Sequence, residues 1–227
     1  MMQFLLSREL SKLLSRQLMS KPFMQASSGA AGSQQADMIW RGDAALIGAD
    51  LCIVMQEQFT QYVMVFCGVT EEELADFSEF FADRFWRETL AICDQAQLYK
   101  RELLRDQLQH LCQQPGFKLD PDFIEDGKVP KVIDKLERLF LHEREPLPID
   151  GRSAFEFSYG INTRKPKAVG DEPIQSPAEN MGNLCLNLIE LQMKEAKSQQ
   201  PDAQSEWVVE SSDSVVTVDF AAHRRQR

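Results

Sequence analysis

The chain has 227 residues and is 43% hydrophobic, which is enough to bury one sizeable core, and it carries a formal charge of -10 with a pI of about 4.9. A partner attracted by long-range electrostatics should therefore be basic, and nucleic-acid binding is disfavoured. No run approaches the ~20 apolar residues that span a bilayer, so no membrane association is expected.

The five cysteines are odd in number, widely spaced and set in apolar surroundings. This pattern predicts buried thiols in a reducing compartment, and hence a cytoplasmic protein. The sequence has no Cys-x-x-Cys pair, and its three histidines are too scattered to complete a zinc site. We expect neither a metal nor another cofactor.

The N-terminal region fits two interpretations. Gln3–Leu6 can form a short strand and Ser7–Leu18 a helix with a leucine stripe on one side. The same first 33 residues are also amphipathic, rich in serine and basic residues, and nearly free of acid, as transit peptides are. Residues 22–36 are small and polar, which predicts a flexible loop.

The next 30 residues favour β-structure. They contain an imperfectly alternating segment, then a dense apolar run, then a run of β-branched and aromatic residues, and their connections look too short for parallel crossovers. The pattern predicts an antiparallel meander over Met38–Ile47, Leu51–Glu57 and Phe59–Cys67.

A strongly amphipathic helix should follow at Thr70. Thr70 and Glu73 have the spacing of a capping box, and a stripe of large apolar residues recurs every three or four positions beyond them. This helix is expected to cover the sheet with Leu74, Phe77, Phe81 and Phe85.

The remaining elements are predicted from periodicity, caps and breakers. They are helices over Gln95–Cys112, Val129–Phe140 and from Ser176 to about Lys197, and a strand at Ala154–Tyr159. Residues 1–197 should thus form a single α+β domain, an antiparallel meander covered by several amphipathic helices. Residues 198–227 form a polar C-terminal tail, in which Trp207–Phe220 is either an edge strand or a disordered motif.

Several segments together have the pattern of a known family: FLLSRELSKLL (4–14), Trp40, Leu51–Met55, Tyr62–Gly68 and Leu74–Phe85, with a looser match at Arg164–Gly170 and Asn180-Met181. In these residues and in the order of its elements, the chain resembles the bacterial family filed as domain of unknown function 6933, over about residues 1–195. The chain departs from the family pattern at Gly42-Asp43, in its long loop 22–36, and at Pro166 and Pro173. The resemblance implies an α+β domain of bacterial origin and transfers no activity.

Three residues are binding candidates. Trp40 and Arg41 are of the types enriched at recognition hot spots, since they combine a large buried area with directed donors. Glu57, at a strand end, is the acid to examine first for acid–base chemistry. A core position for Trp40 and a turn position for Glu57 are the competing interpretations.

Three functions remain open. The first is a non-enzymatic interaction or regulatory protein whose acidic surface or tail docks a basic protein, because residues 37–94 hold twelve acids against three arginines. The second is an enzyme with a pocket assembled from distant residues near the Trp40 strand. The third, suggested by the family context alone, is an accessory factor of a bacterial stress or defence system.

Overall fold

The structure is a computed structural model that describes residues 2–18, 38–95, 104–105, 108, 111–112, 115–120, 123, 127–165 and 175–199. These residues form an α+β fold with one five-stranded sheet. The strands are β1 (Met2–Leu6), β2 (Met38–Ile47), β3 (Asp50–Glu57), β4 (Val63–Cys67) and β5 (Gly116–Leu119). The helices are α1 (Arg8–Leu18), α2 (Glu71–Ala75), α3 (Phe77–Gln95), α4 (Lys128–Leu141), α5 (Gly151–Asn162) and α6 (Pro177–Gln199).

The sheet is mixed, and the expectation of a purely antiparallel meander is wrong. The strand order is β4-β3-β2-β1-β5, in which β2, β3 and β4 pair antiparallel while β1 lies parallel to both β2 and β5. A parallel pair needs a crossover connection, and α1 lies between β1 and β2 in the chain. Leu10 and Leu14 on α1 are buried in the same core cluster as β1 and β2, so the helix packs against the sheet.

One face of the sheet is aromatic. Phe4, Trp40 and Phe66 point from three strands toward α3, where they meet the predicted phenylalanine stripe, with ring centroids 4.9 to 6.2 Å apart. The capping box predicted at Thr70 is confirmed. The helix it opens is short, because α2 ends at Ala75 and α3 starts anew at Phe77. Each buried ring contributes on the order of 2 to 3 kcal/mol.

The other face of the sheet is aliphatic. Cys52, Val54, Val63 and Val65 pack beneath α4, whose buried side chains are Val129, Val132, Ile133 and Leu136. The middle of the sheet therefore lies between two hydrophobic cores, one covered by α3 and the other by α4. The cysteines are all free thiols, and Cys52 lies opposite Cys67 in the β3–β4 ladder.

The edge of β4 is covered by α5, and this helix contains the segment that the sequence predicts as a strand. Ala154–Tyr159 is helical, because Asp150 caps the helix by accepting hydrogen bonds from the backbone of Arg152 and Ser153. Asn162 then exchanges two hydrogen bonds with the backbone of Val63, at 2.9 and 2.7 Å, and Ser158 accepts one from Val65 N–H at 3.1 Å. These side chains complete the ladder that an edge strand leaves open.

Several predictions fall on residues outside the described part of the chain. They are the loop 22–36, the tail segment Trp207–Phe220 and most of the helix Gln95–Cys112, of which residues 95, 104–105, 108 and 111–112 are described and helical. Strand β5 is not anticipated by the sequence pattern. Within the described residues, no helix is both long enough and apolar enough to cross a membrane.

Candidate functional site

The three predicted binding residues do not share one cavity. Trp40 and Glu57 stand opposite each other in the β2–β3 ladder, so their side chains lie on the same, aromatic face of the sheet. Arg41 follows Trp40 on β2 and therefore projects from the opposite face, where it lines a separate cleft with Lys128. A single pocket built from all three residues is not formed.

Trp40 is a core residue. Its side chain is fully buried, and its ring meets Phe81 and Phe85 edge-on at 4.9 and 5.3 Å between centroids. The indole Nε1 is buried and makes no hydrogen bond with a described residue. Trp40 thus anchors α3 to the sheet and presents no surface for recognition.

Glu57 holds the turn between β3 and β4. Its Oε2 accepts hydrogen bonds from the backbone N–H of Phe59 and Thr60 and from the Thr60 hydroxyl, at 2.6 to 2.9 Å. The side chain is fully buried, so it cannot reach a substrate from this position. The competing interpretation of Glu57 as a turn residue is the one that describes its contacts.

A large cleft instead opens between α3 and α5, and we name it the α3–α5 cleft. Its volume is about 810 Å³, in the range of cavities that hold small ligands or a partner's side chains. Its walls combine apolar side chains with acids and arginines: Phe80, Ala91, Ile149 and Phe155, then Glu73, Asp83, Glu88, Arg84, Arg87 and Arg152.

Three buried polar groups are connected at the inner wall of the α3–α5 cleft. Arg84 Nη2 donates to Glu88 Oε1 at 2.8 Å, and the Tyr62 hydroxyl donates to Glu88 Oε2 at 3.0 Å. The Arg84 guanidinium also lies 5.4 Å from the centre of the Phe66 ring, within the range of a cation–π contact. Glu88 and Arg84 line the cleft, while Tyr62 lies behind them in the core.

Burial governs the charge of this cluster. Removal from water raises the pKa of Glu88 to about 7, although the hydrogen bonds from Arg84 and Tyr62 oppose that rise. Burial and the neighbouring Glu88 also raise the pKa of the Tyr62 hydroxyl well above its usual value. Glu88 therefore exchanges a proton near neutral pH, as functional carboxyl groups in clefts often do.

The thiol of Cys67 also lines the cleft, but it is not a nucleophile at neutral pH. Its hydrogen bond with Cys52, together with burial, raises the pKa of this thiol far above neutrality, so the thiolate does not form. No cluster of three or more metal-ligating side chains occurs among the described residues. The α3–α5 cleft can therefore hold a ligand, and Glu88 in its wall can exchange one proton.

An acidic surface borders the cleft. Residues 71–95 contain eight acids and two arginines, and the exposed acids follow the outer side of α2 and the first half of α3. Arg87 neutralises one of them through an exposed ion pair with Asp83 at 2.9 Å. We define the acidic surface as Glu71, Glu72, Asp76, Glu79 and Asp83.

The sequence contains a signal for the buried pair of Arg84 and Glu88. Arg84 and Glu88 lie seven residues after Phe77 and Phe81, so both charges fall on the buried stripe of α3. Charged residues almost never occupy such a stripe unless they are paired. Tyr62 had no comparable signal, because its partner is 26 residues away.

The chain has no match among protein-family models, and the search of curated proteins finds none either. The resemblance to domain of unknown function 6933 therefore stays a prediction.

Proposed function

We propose that this is a non-enzymatic interaction or regulatory protein of the cytoplasm that docks a segment of a basic protein in the α3–α5 cleft. The observation that carries the proposal is the position of this cleft, with its apolar walls, directly beside the acidic surface. A segment that offers an apolar side chain and flanking lysines or arginines would complement both features.

The apolar part of the cleft would supply most of the affinity. Ile149 is 54% exposed, and Phe80 and Phe155 are half-buried, so an inserted side chain would shield apolar area that now faces water. Burying one large aliphatic or aromatic side chain contributes on the order of 2 to 3 kcal/mol. Such an anchor surrounded by charged residues is the usual arrangement of a binding hot spot.

The acidic surface would select the partner and speed its arrival. Exposed charges steer association and discriminate against like-charged molecules more than they add affinity. The same charges repel nucleic acid, in agreement with the overall charge of -10. The free cysteines fit a reducing compartment, which supports the cytoplasmic location.

Peptide binding tests the proposal. A fluorescein-labelled peptide with one phenylalanine among lysines should bind the full chain, with anisotropy titrations giving an affinity that weakens as salt rises. A matched peptide with glutamates in place of lysines should not bind. If the two peptides bind equally, or neither binds, the proposal of a basic partner is wrong.

Two pairs of variants locate the binding site. The double variant Glu72→Lys with Glu79→Lys should weaken binding of the basic peptide, whereas Asp134→Lys with Glu145→Lys, on exposed positions outside the acidic surface, should leave it unchanged. Ile149→Ser should likewise weaken binding, while Leu141→Ser, at an equally exposed leucine, should not. Losses that do not follow this division would place the binding site elsewhere.

A second candidate function is an enzyme that uses Glu88 as a general acid or base. The observation that favours it is the pKa of about 7 at a cleft wall. A chromogenic phosphate or carboxylate ester should then be turned over with a rate that follows an ionisation near pH 7, and Glu88→Gln should abolish that turnover. If no ester is turned over, or if Glu88→Gln turns it over at the wild-type rate, Glu88 is not a catalytic group.

A further inference from the structure

A second cleft lies on the opposite face of the sheet from the aromatic core, and we name it the polar cleft. It has a volume of about 310 Å³ and is bordered by Arg41, Gln56, Gln58, Gln61 and Lys128. Among the described residues that line it, none carries a carboxylate. In a protein of charge -10, a cleft with two cations and three amide side chains differs from its surroundings.

Arg41 is only loosely paired with an acid. Its buried Nε makes no hydrogen bond with a described residue, and it lies 3.5 Å from Asp120 Oδ2, farther than in a close charged hydrogen bond. The side chain remains 36% exposed, so the rest of the guanidinium can reach the cleft. An arginine fork suits the paired oxygens of a carboxylate or phosphate.

Lys128 is the second cation, and the backbone adds to it. Its Nζ donates to the carbonyl oxygen of Gln61 at 2.6 Å, which holds the ammonium group at the cleft. Burial lowers the pKa of Lys128 to about 8, a cost that a bound anion would offset. Lys128 also begins α4, whose N-cap, Gly127, provides no side-chain hydrogen bond to the first-turn N–H groups.

The amide side chains hold the cleft in shape. Gln61 has a φ of 61°, a conformation that is uncommon for a residue with a side chain, and it is bonded from three sides. Its side chain accepts a hydrogen bond from Gln56 and donates to the carbonyl of Gln58 at 2.6 Å, while Lys128 bonds its carbonyl. The cleft is therefore preorganised, which lowers the entropic cost of binding.

We propose that the polar cleft binds the oxyanion of a small molecule, a phosphate monoester or a carboxylate, between Arg41 and Lys128. The volume of about 310 Å³ lies in the range of pockets that hold small molecules. The net negative charge of the protein does not prevent this, because charges farther away than about 8 Å are largely screened at physiological salt.

Calorimetric titration of the full chain with phenyl phosphate, benzoate and inorganic phosphate tests the proposal. At least one of the three should bind saturably with a Kd below about 1 mM, and the tightest of them identifies the oxyanion. Lys128→Gln and Arg41→Gln should each weaken that binding by about tenfold or more. Lys131→Gln removes an exposed charge three residues further along α4 and should leave binding unchanged.

The outcomes separate clearly. Thermal unfolding of each variant shows whether it remains folded. If Arg41→Gln does not fold, Lys128→Gln is the variant that decides the test. Binding that falls equally in Lys128→Gln and Lys131→Gln would reflect general charge attraction and would overturn the proposal. So would the absence of saturable binding by all three probes.

Discussion

The two clefts place an arginine in opposite situations. In the α3–α5 cleft, Arg84 is matched by Glu88 at 2.8 Å and both are almost completely buried. In the polar cleft, Arg41 stays partly exposed at 3.5 Å from its acid, and Lys128 bonds only a carbonyl among the described contacts. A paired charge mainly holds the structure, whereas an incompletely matched one is available to a ligand.

The largest expected effect comes from breaking the matched pair. Arg84→Ala should lower the free energy of unfolding by about 3 to 5 kcal/mol at pH 8, where Glu88 is ionised and would be left buried without its cation. Denaturant titration measures it. Arg87→Ala removes an exposed partner of Asp83 on the same helix and should cost about 0.5 kcal/mol or less. Similar losses in both variants would show that the burial of Arg84 is unimportant.

The proton on Glu88 should make stability depend on pH. Its pKa in the folded chain is about 7, above its ordinary value of 4.5, so the folded state binds the proton more tightly. The proton on Glu88 therefore adds to the free energy of unfolding, fully below pH 4.5, and this stabilisation is lost as pH rises through 7. Relative to Glu88→Gln, the free energy of unfolding should fall by about 3 kcal/mol over this range. Denaturant titrations of both chains across this range measure it. A difference that stays constant with pH would contradict the raised pKa.

The next effect concerns the cover that α5 provides for the edge of β4. Asn162→Ala leaves the buried N–H and C=O of Val63 without their side-chain partner and should cost roughly 2 kcal/mol. It should also expose the β4 edge and promote self-association, which light scattering detects. Thr163→Ala, which removes one exposed hydrogen bond to Tyr159, is the matched control and should change little.

The sequence predicted the parts of the fold that local patterns determine. The capping box at Thr70, the phenylalanine stripe of α3 and the Ser176 start signal of α6 depend on residues within one or two turns of each other. The strand predicted at Ala154–Tyr159 is wrong because its aromatic residues alternate as in a strand, whereas Asp150 caps a helix whose Ser158 and Asn162 reach β4.

Relations between distant segments could not be predicted in the same way. The parallel pairing of β1 with β5 joins residues more than 100 positions apart, and no local pattern encodes it. The separation of Trp40 from Arg41, by contrast, follows from the predicted strand itself, because adjacent residues of a strand face opposite sides of the sheet. The sequence gives no reason to single out Lys128, because its importance depends on its hydrogen bond with Gln61 and on the cleft that it shares with Arg41.

The smallest expected effect is the counterpart of the Glu88 prediction in the polar cleft. Burial lowers the pKa of Lys128 from 10.5 to about 8, so the unfolded chain binds this proton more tightly. The free energy of unfolding of the wild-type chain relative to Lys128→Gln should therefore rise between pH 8 and 10.5, by about 1 kcal/mol after allowance for partial solvent screening. Denaturant titrations across that range measure the difference. A slope of the same sign as that for Glu88 would show that Lys128 is not a desolvated cation, and the contrast between the two clefts would then fail.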